Sequence, residues 1–188
     1  MKIIKLNAIN STNSFLKEMA QKKALKNYTV VIASSQEKGK GQMGSEWVSE
    51  PHKNLLCSVF IAFENLLIMD QVFLNYAVSV GVSNALKEYK LPKLKVKWPN
   101  DILSSNQKIG GLLIENVMQK NKIVSTVIGI GLNVNQVKFP KNLPNATSIK
   151  KQIKKEVVID DLLEKVIEEL KSTIDVLTSV NKKDLKDA

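Results

Sequence analysis

The chain contains no arginine: all 28 basic residues are lysine, and with 18 acidic residues the formal charge is +10. Arginine's planar fork makes the commonest base-specific contacts in DNA, so its absence argues against a sequence-reading DNA regulator. A lysine-rich surface can still attract a polyanion or an acidic partner, although solvated lysines in place of arginine account for the same charge. Aromatic residues are only 5% of the chain, and no basic stripe alternates with them, which speaks against a base-stacking platform. A lone cysteine, Cys57, excludes an internal disulfide; inside the apolar run 55–63 it reads as a buried structural thiol. The single His52 has no Cys or His at metal-ligand spacing and no nearby Ser or Cys triad pattern, so a loop position is expected rather than a zinc site. No run of eighteen apolar residues exists to span a membrane as a helix. The start, MKIIKLNAINSTN, has too short an apolar run for a signal peptide, so a cytoplasmic location is expected.

What is present suits one folded domain. The chain has 188 residues, 44% of them hydrophobic, enough for a real core. Lys2–Leu6 reads as a strand, and Asn10-Ser11-Thr12 offers capping side chains before an amphipathic segment from Ser14 to about Leu25. Further strands are expected at Tyr28–Ser34, Lys53–Phe63, Lys95–Trp98, Ile102–Leu103, Lys108–Val117 and Ile123–Val134. Buried and amphipathic helices are expected at Met69–Tyr89 and Asp160–Leu177. Residues 36–52 form a long Gly-rich polar loop, and 138–145 an irregular one containing proline. Turns rather than helical crossovers join several adjacent strands. The fold class is therefore α+β, a mixed or largely antiparallel sheet with packed helices.

The densest chemistry lies in Lys97–Glu115, KWPNDILSSNQKIGGLLIE. Lys97 and Lys108 supply fixed positive charge, Asn100 and Asp101 an amide and a carboxylate. Gly110 and Gly111 let the backbone approach a ligand closely. Such a set suits a phosphate-bearing intermediate, whose developing charge needs pre-placed cations; the plain alternative is a β-hairpin with solvent-facing lysines. Two phosphate motifs fail. Gly39 and Gly44 have the P-loop gap, but Ser45-Glu46 follows where Lys-Ser or Lys-Thr is needed, and Gly129-Ile-Gly131 is followed by Val134 at the third dinucleotide-fold glycine.

Ser11-Thr12-Asn13 opening a helix, Gln36 before a Gly-Lys-Gly loop that ends in Trp47, KWPND followed by KIGG, and Gly-Ile-Gly-Leu-Asn133 closing a strand occur in one order. In that order they resemble the catalytic domain of the biotin–protein ligases, from about residue 6 to residue 148. The resemblance implies a class II aminoacyl-tRNA-synthetase-like catalytic domain over 1–180 and a tail over 181–188. It implies that Ser11, Thr12, Asn13, Gln36, Gly39, Lys40, Gly41, Gln42, Lys108 and Gly110 bind biotin. Lys40, Trp47, Lys97, Asn100, Lys108 and Asn133 would serve ATP or the adenylate. Lys108 and Asp101 would be catalytic, with Asp101 also a ligand for Mg2+. The implied reaction joins biotin's carboxylate to the α-phosphate of ATP, then transfers biotin to a lysine of a biotin carboxyl-carrier protein or domain. The partners implied include no DNA and no membrane, and the ligase acts as a monomer or homodimer.

The sequence departs from the family in three ways. Its loop reads Gly39-Lys40-Gly41-Gln42-Met43-Gly44 where the usual pattern is Gly-Arg-Gly-Arg/Gln-x-Gly. Charge is kept at Lys40 but the bidentate fork is lost, which weakens the expected grip on the adenylate. Ser11 is expected to leave no room for the winged-helix domain of the repressor-type members. The chain stops where the usual SH3-like C-terminal domain would begin, so a short or truncated form is expected. Lipoate ligases and octanoyltransferases share the fold, but their Arg-Arg…Gly-Gly-Gly run is absent. A relative that binds biotin or its adenylate without turnover remains the other alternative.

Overall fold

The computed structural model describes residues 2–184. Seven strands, β1 (Lys2–Ile9), β2 (Thr29–Gln36), β3 (Leu55–Leu67), β4 (Lys95–Lys97), β5 (Asp101–Ser104), β6 (Gln107–Gln119) and β7 (Lys122–Leu132), form one sheet in the order β1-β2-β3-β7-β6-β5-β4. Among the described residues four α-helices accompany it: α1 (Thr12–Lys22), α2 (Gln71–Lys87), α3 (Ile149–Ile153) and α4 (Ile159–Asp184). Only β1 and β2 pair in parallel, and α1 is the crossover such a pair requires. Every other pairing is antiparallel, so the α+β fold with a mixed, largely antiparallel sheet is what the sequence led us to expect.

The two faces of the sheet are separated by strand alternation. Val30 and Ile32 of β2, Cys57, Val59 and Ile61 of β3, and Ile128 and Ile130 of β7 join α2 and α4 in the main core. Gly81 of α2 lets the helices meet: a Cβ there would lie 3.0 Å from the Leu170 Cα of α4. The intervening residues Val31, Phe60 and Val127 meet Leu16 of α1 on the other face. On that second face the strands then change character. Beyond Phe60 and Val127 come Ser58, Gly129 and Gly131, so bulk disappears and the sheet is left open beside the N-terminus of α1.

Several boundaries differ from expectation for local reasons. Helix α1 begins at Thr12 because Ser11 is its N-cap, with Ser11 Oγ accepting from the Ser14 N–H at 3.4 Å. Strand β4 stops at Lys97, where residues 98–100 turn around a cis Trp98–Pro99 peptide. The short α3 was not expected; Ser148 caps it, and Lys154, in a left-handed conformation, ends it. Helix α4 continues through residues 181–184, the first half of the stretch expected as a tail, and 185–188 lie outside the described residues. Among the described residues no helix is long and apolar enough to cross a membrane.

Candidate active site

A cleft of about 350 Å³ opens on the glycine-rich face of the sheet. Its floor is a glycine patch: Gly111 of β6 pairs with Gly131 of β7, and Gly129 lies two residues along. The indole of Trp47 lies against that floor; a Cβ on Gly131 would sit 2.7 Å from the ring and one on Gly111 3.0 Å from it. Side chains at these two positions would fill the space that Trp47 occupies. Trp47 Nε1 is buried and has no hydrogen-bond partner among the described residues.

A β-bulge brings Lys108 beside this floor. Strands β5 and β6 pair as Leu103 with Lys108 but Ile102 with Gly110, so β6 carries one extra residue, Ile109. The extra residue shifts the alternation, as bulges near functional sites do. Ile109 and Gly110 therefore turn to the core, while Lys108 and Gly111 share the cleft face. Lys108 Nζ lies 2.6 Å from Asp101 Oδ1 and 5.7 Å from the Trp47 ring centroid. The backbone of Lys108 is also clamped, its N–H donating to the Asn145 carbonyl and its carbonyl accepting from the Thr147 N–H.

The roof is the Gly-rich loop, which is not an extended loop but a small hairpin. The Trp47 N–H donates to the Gly39 carbonyl, the Gly41 N–H to the Ser45 carbonyl, and Lys40 and Glu46 pair as an antiparallel backbone bridge. Met43 at the tip is left-handed and fully exposed, and Gly44 follows at φ 77°. Gly39 is required where the hairpin closes, since a Cβ would come within 2.4 Å of the Trp47 carbonyl oxygen. Lys40, Gln42 and Glu46 line the cleft from this roof.

The far wall is the start of α1. The Thr12 backbone N–H and hydroxyl both donate to Gln36 Oε1, at 2.8 and 3.0 Å. Asn13 Nδ2 donates to Glu115 Oε2 at 2.9 Å, and Asn13 Oδ1 accepts from the buried Ser58 hydroxyl. Burial opposes ionisation of Glu115, but hydrogen bonds from Lys17 and Asn13 outweigh it and hold the carboxyl below its ordinary value. Cys57, next along β3, is buried, and desolvation pushes its thiol up to about 12. It is a structural thiol, as expected, and His52 lies in a loop.

Twelve expected site residues meet here: Ser11, Thr12, Asn13, Gln36, Lys40, Gly41, Gln42, Trp47, Lys97, Asn100, Asp101 and Lys108 line one cleft. Three do not line it. Gly110 faces Leu132 and Ile102 because the bulge reverses its face, while Gly111, Gly129 and Gly131 line the cleft. Gly39 closes the hairpin. Asn133 is buried and spends its amide N–H on the Thr147 carbonyl at 3.0 Å, tying β7 to the segment that clamps Lys108. Asn100 reaches the cleft while its amide holds the Leu112 carbonyl of β6 at 3.2 Å. No three His, Cys, Asp or Glu side chains converge among the described residues to cage a metal, and Asp101, the expected Mg2+ ligand, pairs with Lys108. Sequence reasoning missed Ser58, Glu115 and Lys17, which support the wall from behind.

The model of the biotin/lipoate A/B protein ligase family matches residues 6–133. The chain is similar to the bifunctional ligase/repressor BirA of Bacillus subtilis, at 31% identity over 146 residues, covering 76% of this chain and 44% of that protein. It is similar to the biotin–[acetyl-CoA-carboxylase] ligase of Mycobacterium tuberculosis, at 31% over 143 residues, covering 74% of this chain and 51% of that protein. It thus spans about half the length of these curated relatives. The biotin protein ligase of Aquifex aeolicus, solved in complex with biotin and ATP, superposes with a TM-score of 0.79 at 29% identity, over 95% of this chain and 72% of that one. The biotin protein ligase of Leishmania major in complex with biotinyl-5-AMP gives 0.74 at 26% identity, over 90% and 73%. With its family match, its sheet order and its cleft in agreement, this chain belongs to the biotin/lipoate A/B protein ligase family.

Proposed function

We propose that the chain activates biotin with ATP to give biotinyl-5'-AMP and transfers biotin to a lysine of a biotin carrier protein or domain. The observation that carries this reading is one juxtaposition. Lys108 stands over a glycine floor, opposite a wall of hydrogen-bonding groups from Thr12, Asn13 and Gln36. One end of the cleft suits an anion and the other a polar ring.

In the first step a carboxylate oxygen of biotin attacks the α-phosphorus and the bond to pyrophosphate breaks. Two anions must meet away from bulk water, so fixed cations are the first requirement. Lys108 is the central one, with Lys40 and Lys97 beside it. Asp101 serves as counter-ion to Lys108 until phosphate replaces it. Magnesium travels with the nucleotide's phosphates as part of that substrate. In the second step the acceptor amine attacks the acyl carbon, AMP leaves, and a carboxylate such as Asp101 takes the proton released. The hairpin 39–47 excludes water from the anhydride between steps. The biotin, ATP and biotinyl-5-AMP bound by the related ligases, and the cleft's charge pattern, support this reading.

The test is biotin-dependent ATP–pyrophosphate exchange on the purified chain, with lipoate and octanoate alongside. Exchange with biotin alone is the expected result. Biotin binding without exchange would point instead to a binding protein, and exchange with lipoate or octanoate instead would move the substrate.

A further inference from the structure

We propose that Glu115 and Lys17, which lie behind the cleft wall, are positioning residues that fix the amide of Asn13 and so set the hydrogen-bonding polarity offered to the ligand's ring. The inference rests on the biotin reading of the cleft and deepens it.

The polarity follows from which groups can only donate or only accept. An ionised carboxylate only accepts. Glu115 Oε2 lies 2.9 Å from the Asn13 amide, and the Leu113 carbonyl oxygen 3.2 Å from it, so both must face Nδ2. That turns Asn13 Oδ1 toward Ser58, whose hydroxyl donates to it. Ser58 Oγ also lies 2.7 Å from Thr12 Oγ1, so its one hydroxyl proton is shared between Asn13 Oδ1 and Thr12 Oγ1. At the other end a backbone N–H only donates. Thr12 N therefore fixes Gln36 Oε1 at 2.8 Å and turns Gln36 Nε2 away. The wall then presents acceptor oxygens from Asn13 and Thr12 and a donor amide from Gln36. A ring carrying N–H groups beside a carbonyl, as a cyclic urea does, complements that order.

Glu115 and the Leu113 carbonyl together orient the Asn13 amide, and Glu115 gives it the shorter, charged contact. The Asn13 side chain has little room to adapt otherwise. It is 3% exposed, and a Cβ on Gly129 would come within 2.4 Å of its Oδ1. Lys17 of α1 holds Glu115 Oε1 at 2.7 Å, with the lysine side chain 42% exposed and the glutamate 29%. The other charged groups around Glu115 come from the hairpin: Lys38, Lys40 and Glu46 line the same hollow.

The experiment measures biotin affinity by calorimetry, and KM for biotin and for ATP by pyrophosphate exchange, on the wild type, Glu115→Gln and Lys17→Met. Glutamine removes the charged acceptor and can donate to Asn13, which leaves the Leu113 carbonyl alone to hold the amide. The expected result for Glu115→Gln is a loss of roughly tenfold or more in biotin affinity, the scale of a charged hydrogen bond, with KM for ATP unchanged. Lys17→Met removes the pairing but leaves the burial that opposes the charge. As pH falls, biotin affinity should then be lost at a higher pH than in the wild type. A merely structural role would lower stability without moving that acid limb. Wild-type binding matched within twofold by Glu115→Gln, or acid limbs that coincide in Lys17→Met and wild type, would overturn the inference. Absence of biotin binding by the wild type would instead overturn the reading of the cleft on which it rests.

Discussion

Replacing Gly131 by alanine would put a methyl carbon 2.7 Å from Cε2 and 2.9 Å from Cζ2 of Trp47. Carbon atoms are at ease about 3.5–4.0 Å apart, so the indole must retreat by about 1 Å. Overfilling a packed site costs ~1–3 kcal/mol. Here the strain falls on the hairpin that carries Trp47 rather than on the sheet, and lifting the hairpin relieves it. Folding stability then changes little, and the cost appears in the closed, ligand-bound state. At about 1.4 kcal/mol per tenfold, biotin affinity should fall by ~5- to ~150-fold. Gly110→Ala is the paired control, one strand over and on the opposite face. Its methyl would lie 2.4 Å from Leu132 Cδ2 and 3.1 Å from the Gly131 carbonyl oxygen, and Leu132 is fully buried. A cost of the same order should appear there as a Tm lowered by ~2–4 °C per kcal/mol, with affinity kept. The assay is a calorimetric biotin titration and a thermal melt of all three proteins. Gly131→Ala with lowered Tm and unchanged affinity, or Gly110→Ala with weakened affinity and unchanged Tm, would refute this two-faced account of the glycines.

Lys108→Ala should reduce biotin-dependent pyrophosphate exchange by at least about a hundredfold, the scale of losing one transition-state charge contact; near wild-type exchange would remove Lys108 from the mechanism. Lys40→Ala should let more biotinyl-adenylate escape into solution in single-turnover experiments, and a free-adenylate level equal to wild type would exclude Lys40 from retention. Cys57, its thiol pushed up to about 12 by burial, should stay protonated and unmodified by iodoacetamide at pH 8 in the folded protein. Mass spectrometry showing alkylation of Cys57 without unfolding would contradict its burial.

Features that depend on neighbours along the chain were legible in the sequence. The Ser11 cap is read from a hydroxyl next to an amphipathic run. The KWPND–KIGG hairpin is read from two apolar stretches around Ser104–Gln107, and β5 and β6 pair across that turn. The antiparallel sheet follows because consecutive strands with short connections have no other way to pair. Even the cleft's membership was largely visible, since Thr12, Gln36, Lys40, Asp101 and Lys108 belong to distinct short motifs that the sheet order gathers at one end of its strands.

What was not legible depends on phase and on distance. The single extra residue at Ile109 inverts strand alternation, and nothing in the composition of KIGG announces it. Strict alternation from Lys108 would put Gly110 on the cleft face and Gly111 in the core, and the extra residue reverses both. The bulge is also what puts Lys108 and the glycine floor on one face, so the broken period falls at the site itself. The wall behind Asn13 fails to announce itself for a different reason. Glu115 and Lys17 lie 98 residues apart, and Ser58 is separated from Asn13 by 45. Each alone reads as an ordinary polar residue on an element whose other face carries the core. Their meaning appears only when the small residues Ser58, Gly129 and Gly131 are seen to leave the sheet bare where α1 begins. On that face the decisive information is the lack of side-chain volume at three positions on two adjacent strands. A polar network can occupy the space because nothing larger is there.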